Sequence, residues 1–123
     1  MPEYLIAFNA EWVPDLSEEE ILERAHATGT LVAEMKAAGV WVFGGGLDDD
    51  SLVGGVDLVD GRPILLDGPY AETKEHLGGF CAVQVPDDET ARAWAAKVAV
   101  ACGWPQQVHR FMVPPHLQEA LQP

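Results

Sequence analysis

The sequence predicts an α+β domain in which two amphipathic helices alternate with short apolar strands. Two segments carry apolar residues at helical spacing, and each follows a polar residue of the kind that caps helices. The other apolar runs are short and end at glycine, proline or aspartate, which is typical of strands. With 123 residues, the chain has the length of one domain, so we expect residues 1–123 to form a single unit.

The first third of the chain predicts a strand, a helix and a second strand. Residues 4–8 alternate as a strand with apolar side chains on both faces. Ser17 and Glu20 have the spacing of a capping box and begin a helix that Gly39 ends. Residues 40–43 form the second strand, which is also apolar on both faces. The glycine triplet that follows is expected to end or bend this strand.

The middle of the chain predicts a β-hairpin. Residues 51–59 and 62–66 have strand-like composition, and Asp60-Gly61 between them is a typical two-residue hairpin turn. After this hairpin, residues 70–76 are long enough for two helical turns at most.

The last third predicts a strand, a helix and a strand. Residues 80–85 form the first of these, and Asp87 caps a second helix that Gly103 ends. Residues 108–113 form the final strand, and residues 113–123 are a C-terminal tail. Without the hairpin, the order of elements is β-α-β-β-α-β. The predicted fold is therefore a ferredoxin-like sandwich with an inserted β-hairpin.

The strands that are apolar on both faces predict a homodimer. Two helices can cover only one face of a four-stranded sheet, so the second apolar face needs another cover. A second copy of the chain is the commonest cover, because two-fold self-association is the usual form of oligomer. Two sheets that face each other would leave a cavity near their edges, and such a cavity could hold a small molecule.

The charge of the chain argues against two classes of partner. Twenty acidic residues against seven basic ones give a net charge of −13, which repels nucleic-acid backbones and anionic lipid surfaces. No apolar run is long enough to span a membrane, and the start of the chain lacks the pattern of a signal peptide. We therefore expect a cytoplasmic protein that binds neither nucleic acid nor membranes. Cys81 and Cys102 are expected to be reduced and buried.

The chain has no recognisable cofactor or metal motif. It lacks the glycine-rich nucleotide loops, the serine hydrolase elbow and the paired-histidine zinc motif. Residues 48–50 are three aspartates, which are expected to form a solvated loop rather than a cation site. We therefore expect no cofactor and no bound metal.

The segment richest in candidate catalytic and binding side chains follows the hairpin. Asp67 comes directly after an apolar strand, and a carboxylate beside apolar walls suits a general acid or base. Lys74 is a candidate charge partner for Asp67 or for an anionic substrate, and Tyr70 and Trp41 are candidate apolar walls of a ligand site. The alternative is that Asp67 bonds to turn amides while Lys74 and His76 face water.

This segment also carries a family resemblance. Residues 67–75, followed by the Leu-Gly-Gly-Phe of residues 77–80, resemble the signature of the DGPF-type proteins within the YCII-related family. Tyr70 stands where phenylalanine is usual. Supporting similarity extends over residues 4–112 and includes the helix exit at residues 37–40.

The resemblance implies more about fold than about activity. Members of the family have a ferredoxin-like fold and form dimeric α/β barrels, and most have no assigned activity. A few related proteins act on small ring compounds, for example as dehydrochlorinases, with a histidine and an aspartate proposed as catalytic. DGPF-type genes often neighbour genes for alternative sigma factors, which suggests an accessory role.

The histidine–aspartate pair of the family is not reproduced at its usual places. The helix position of the histidine holds Thr28, and the position of the aspartate holds Ala37 or Ala38. His26 lies two residues earlier on the same helix, off the apolar stripe, where it faces solvent, a cleft or a partner. Our hypothesis is a small-molecule lyase or isomerase in which Asp67 and His26 supply acid–base chemistry. The alternative is a non-catalytic ligand-binding or interaction module linked to transcription.

Overall fold

The structure, a computed structural model, describes residues 1–48, 52–67 and 75–117. In these ranges the chain forms strands, two α-helices and short 3₁₀ turns at residues 10–12 and 115–117. The elements are β1 (Glu3–Asn9), α1 (Glu18–Ala37), β2 (Trp41–Gly46), β3 (Gly55–Val59), β4 (Arg62–Leu66), β5 (Leu77–Gln84), α2 (Asp88–Cys102) and β6 (Gln107–Arg110).

Four of the strands form one antiparallel sheet in the order β2-β5-β1-β6. With α1 between β1 and β2, and α2 between β5 and β6, this is the ferredoxin-like arrangement, which confirms the predicted fold class. Within the described residues, strands β3 and β4 pair only with each other and form the inserted hairpin.

The core lies between this sheet, hereafter the main sheet, and the two helices. Ile6 of β1 and Val83 of β5 point to the helices, as the two-residue period of a strand requires. They pack with Met35 of α1 and with Ala91 and Ala95 of α2. Burial of these side chains supplies most of the free energy that holds the helices on the sheet.

Both predicted helix starts are confirmed. The hydroxyl of Ser17 accepts a hydrogen bond from the backbone N–H of Glu20, and the Glu20 carboxylate accepts one from the backbone N–H of Ser17. The Asp87 carboxylate accepts a hydrogen bond from the backbone N–H of Thr90 at the start of α2. Gly103 ends α2 with φ 94, a left-handed conformation that glycine adopts without strain.

The hairpin turn is also confirmed, because Asp60 and Gly61 both have positive φ, 51 and 77. These are the values that a two-residue type I′ turn requires. The first strand of the hairpin starts later than predicted, at Gly55 rather than residue 51. The expected helical turns at residues 70–76 fall largely outside the described residues.

Of the two expectations for the glycine triplet, that it ends or bends β2, the first is wrong. β2 continues through Gly46 and pairs with β5 along the triplet. A Cβ atom on Gly44 would lie 2.6 Å from the Cα of Cys81, so the two strands approach too closely for any side chain there. Glycine is therefore what allows the pairing, not what interrupts it.

The face of the sheet away from the helices, hereafter the outer face, carries an apolar row. The strand register places Phe43, Ala82, Leu5 and His109 side by side across the four strands. Phe43 is exposed, and its ring contacts that of Phe80 with centroids 6.1 Å apart. The structure thus shows the second apolar face that the sequence predicts, with no helix of the described chain packed on it.

Candidate functional site

A cleft of about 870 Å³ opens between α1 and the helix-facing side of the main sheet. Strands β1, β2 and β5 form its floor, and the C-terminal end of α2 closes one side. Most of the side chains that line it are apolar, among them Phe8, Val13, Val32, Trp41, Leu47 and Trp104. A mainly apolar cleft of this volume is typical of a site for a small molecule.

The cleft exists because the two halves of α1 pack differently. Leu31 and Met35 in the second half are buried in the core. Ile21 and Ala25 in the first half are exposed and line the cleft. The sheet beneath contributes glycines at residues 44–46, which have no side chains to fill the space. These glycines, hereafter the glycine floor, and the exposed first half of α1 together leave room for a ligand.

Two aromatic rings form a wall of this cleft. The Phe8 ring lies on the backbone of Gly78 and Gly79, where added Cβ atoms would come within 2.7 and 2.8 Å of it. The same ring meets Trp104 edge to face, with centroids 5.3 Å apart and an interplanar angle of 63°. The two glycines thus set the position of Phe8, and Phe8 supports Trp104.

The indole nitrogen of Trp104 is an unpaired donor. It is buried from solvent, and among the described residues it has no hydrogen-bond partner. An unsatisfied buried donor of this kind costs about 1–3 kcal/mol. Trp104 lines the cleft as a residue, whereas its indole nitrogen is buried behind the ring surface.

Few charged side chains line the cleft, and they carry charges of both signs. Among the described residues, Asp15, Arg24 and Lys36 are the lining side chains with a formal charge. The Arg24 guanidinium lies against the C-terminal end of α2. A Cβ atom added to Gly103 would lie only 2.7 Å from Arg24 Cζ. Arg24 therefore reaches from α1 across to the residue that precedes Trp104.

Two buried thiols also line the cleft. Burial, with a smaller contribution from the neighbouring Cys102 thiol, raises the pKa of Cys81 to about 11. Burial also raises the pKa of Cys102, against the opposing effect of Arg24. Both thiols are therefore protonated at neutral pH and act as small apolar groups rather than as nucleophiles.

A histidine–carboxylate pair lies at the same end of the sheet. His76 Nδ1 is 2.5 Å from Glu11 Oε1, and the His76 backbone N–H donates to Glu11 Oε2 at 3.0 Å. These bonds hold the pKa of Glu11 at about 2. Neither side chain lines the cleft, although the backbone N–H of Ala10, which does line it, donates to the His76 carbonyl oxygen at 2.7 Å.

Among the candidate residues that the structure describes, one lies at the cleft. Trp41 lines the cleft. His26 is exposed on α1 and Asp67 is exposed after β4, and neither lines the cleft. Tyr70 and Lys74 lie outside the described residues.

The residues that sequence reasoning missed are Phe8, Arg24 and Trp104 at the cleft, and the Glu11–His76 pair beside it. The local sequence around each of them predicts a different role: part of a core strand, of a solvated helix face, or of a loop. The one available signal is the glycine pair at residues 78–79, since adjacent glycines in a strand indicate a close approach. That signal does not say which side chain makes the approach.

Two classes of site receive no support from the described part of the chain. No group of three or more metal-ligating side chains in residues 1–48, 52–67 and 75–117 could hold a metal ion. No helix in these ranges is long and apolar enough to cross a membrane.

The fold and the cleft define a ferredoxin-like α+β domain with a mainly apolar binding cleft between one helix and the sheet. The model of the YCII-related domain matches residues 7–102, which is most of the chain. The chain therefore belongs to the YCII-related family. No curated protein is a significant match to it.

Proposed function

We propose that this protein binds a small, mainly apolar molecule in the cleft between α1 and the main sheet. The mainly apolar, glycine-floored cleft with the aromatic wall of Phe8 and Trp104 is the observation that supports this function best. A cleft of this kind is typical of a site for a small apolar molecule.

A cleft-filling variant tests the proposal. Ala25 lines the cleft, whereas Ala33 is exposed on the same helix and does not line it. With the neutral fluorescent probe N-phenyl-1-naphthylamine, we expect saturable fluorescence enhancement for the native protein. We expect Ala25→Trp to weaken binding at least tenfold because the indole occupies the cleft, and Ala33→Trp to leave it unchanged.

Two results would contradict this function. Absence of saturable binding by the native protein would remove the cleft as a ligand site. Equal binding by the Ala25→Trp variant and the native protein would place the probe elsewhere, for example on the outer face.

Acid–base catalysis on a small ring or carbonyl compound is a second candidate, and the Glu11–His76 pair favours it. A carboxylate bonded to one ring nitrogen orients a histidine for proton transfer through the other. Asp67 and His26, with Lys74 and Tyr70, stay proposed participants in a lyase or isomerase reaction. The test is deuterium uptake in D₂O by a ligand recovered from the purified protein. Unchanged uptake in Asp67→Asn, His26→Gln and His76→Gln would exclude all three.

We also propose that the protein is a cytoplasmic homodimer that pairs through the outer face. The exposed Phe43 and the adjoining row across the sheet support a self-complementary contact. An accessory role in transcription through protein contacts remains the alternative to a small-molecule enzyme.

A further inference from the structure

We propose that the cleft selects an organic anion: an apolar body with a single anionic oxygen head group, such as a carboxylate. In this assignment the head group lies beside Arg24, and the apolar body lies over the glycine floor. The inference rests on the proposed function, because it names the class of ligand for the same cleft.

The charge of the lining is opposite to that of the molecule. The whole chain has 20 acidic residues, seven basic residues and a net charge of −13. The described lining has two cations, Arg24 and Lys36, against one carboxylate, Asp15. An anion is therefore repelled by the surface in general and attracted at the cleft in particular.

The Arg24 guanidinium lies at one end of the cleft. Arg24 packs against Gly103, and Trp104 is the next residue along the chain. A guanidinium offers several N–H donors, and a carboxylate has two oxygens to accept from them. The aromatic wall of Phe8 and Trp104 begins at the same place, so a head group bound there would direct its apolar body into the cleft.

Neither of the two cations forms an ion pair within the described residues. The ion pairs there join Glu11 to His76, Glu34 to Lys97 and Asp88 to Arg110, and Arg24 acts on the Glu20 carboxylate only through a weaker coulombic interaction. Arg24 is half-buried, and a partly desolvated guanidinium that forms no ion pair gains more from an incoming anion than a solvated one does.

A matched pair of probes tests the selection. 8-Anilinonaphthalene-1-sulfonate and N-phenyl-1-naphthylamine share the same aromatic body, and only the former carries an anionic head. We expect the native protein to bind the sulfonate more tightly than the neutral probe. We expect Arg24→Gln to reduce that preference about tenfold, since the lost bond is charge-assisted. Thermal unfolding of each variant checks that the fold is intact.

Arg62→Gln is the control variant. Arg62 is exposed on β4, does not line the cleft, and its replacement changes the net charge by the same amount. We expect this variant to keep the native preference for the sulfonate. An equal effect of Arg24→Gln and Arg62→Gln would show a general electrostatic effect and overturn the assignment.

The remaining outcomes distinguish this inference from the proposed function. Equal affinity of the native protein for both probes would overturn anion selection and leave the cleft as a binding site. Binding of neither probe would overturn both. Equal binding of the sulfonate to the Ala25→Trp variant and the native protein would place the anion outside the cleft and overturn the inference.

Discussion

At the scale of single residues, the Glu11–His76 pair ties the end of β1 to the start of β5. Glu11 accepts two hydrogen bonds from His76, one from the ring and one from the backbone. These bonds lower the pKa of Glu11 from 4.5 to about 2. Because the folded pKa lies below the unfolded one, the stabilising contribution is complete above pH 4.5 and is lost as the pH falls toward 2.

Glu11→Gln is therefore expected to be less stable than the native protein at pH 6. We expect the difference in urea midpoint between the two proteins to shrink as the pH is lowered below 4.5. Glu23→Gln is the control, because Glu23 is an exposed carboxylate on α1 with none of these bonds. A constant difference between pH 6 and pH 3 would contradict the assigned role of the carboxylate.

Single residues also show which features of the fold and the site could be predicted from sequence. The capping residues Ser17 and Asp87 were predictable, because a cap depends on residues within one turn of it. Arg24 and Trp104 were not, because Arg24 reaches Gly103 and Trp104 meets Phe8 only after the helices pack on the sheet. The Glu11–His76 pair joins residues 65 positions apart, and no local pattern encodes that contact.

At the scale of elements, the glycine triplet of β2 also has a role that the local sequence does not predict. Local reasoning predicts that glycines end a strand, since they lack side chains and β propensity. In the fold, the backbone of Cys81 in β5 comes so close to Gly44 that no other residue fits. The order of the strands was predictable from the element pattern, whereas this inter-strand distance was not.

The triplet offers a matched pair of substitutions. A Cβ on Gly44 would lie 2.6 Å from Cys81 Cα, while a Cβ on Gly45 would have no atom within 4 Å. We expect Gly44→Ala to lower the free energy of unfolding by about 1–3 kcal/mol, because β2 and β5 must separate. We expect Gly45→Ala to change it by less than about 0.5 kcal/mol. Urea unfolding measures both, and equal values would mean that β2 and β5 tolerate a side chain at Gly44.

At the scale of the whole molecule, two apolar surfaces stay uncovered by the described chain. One is the outer face of the main sheet around Phe43. The other is one face of the β3–β4 hairpin, where the register places Val56 opposite Leu65, both exposed. An isolated two-stranded hairpin is marginal in water, so it gains stability from contact with another surface. Both surfaces are expected to contribute to contacts with a second copy.

The decisive prediction at this scale concerns Phe43, which is 65% exposed and lies at the end of the outer row. We expect the native protein to sediment as a dimer and Phe43→Asp as a folded monomer, because the variant would bury a charge in the contact. Leu22→Asp is the control, since Leu22 is 71% exposed on α1 and far from this face in the fold. Each copy carries −13, so higher salt should strengthen the native dimer by screening the repulsion between the two chains. A native monomer at micromolar concentration, or a Phe43→Asp dimer, would show that this face is not the contact between copies.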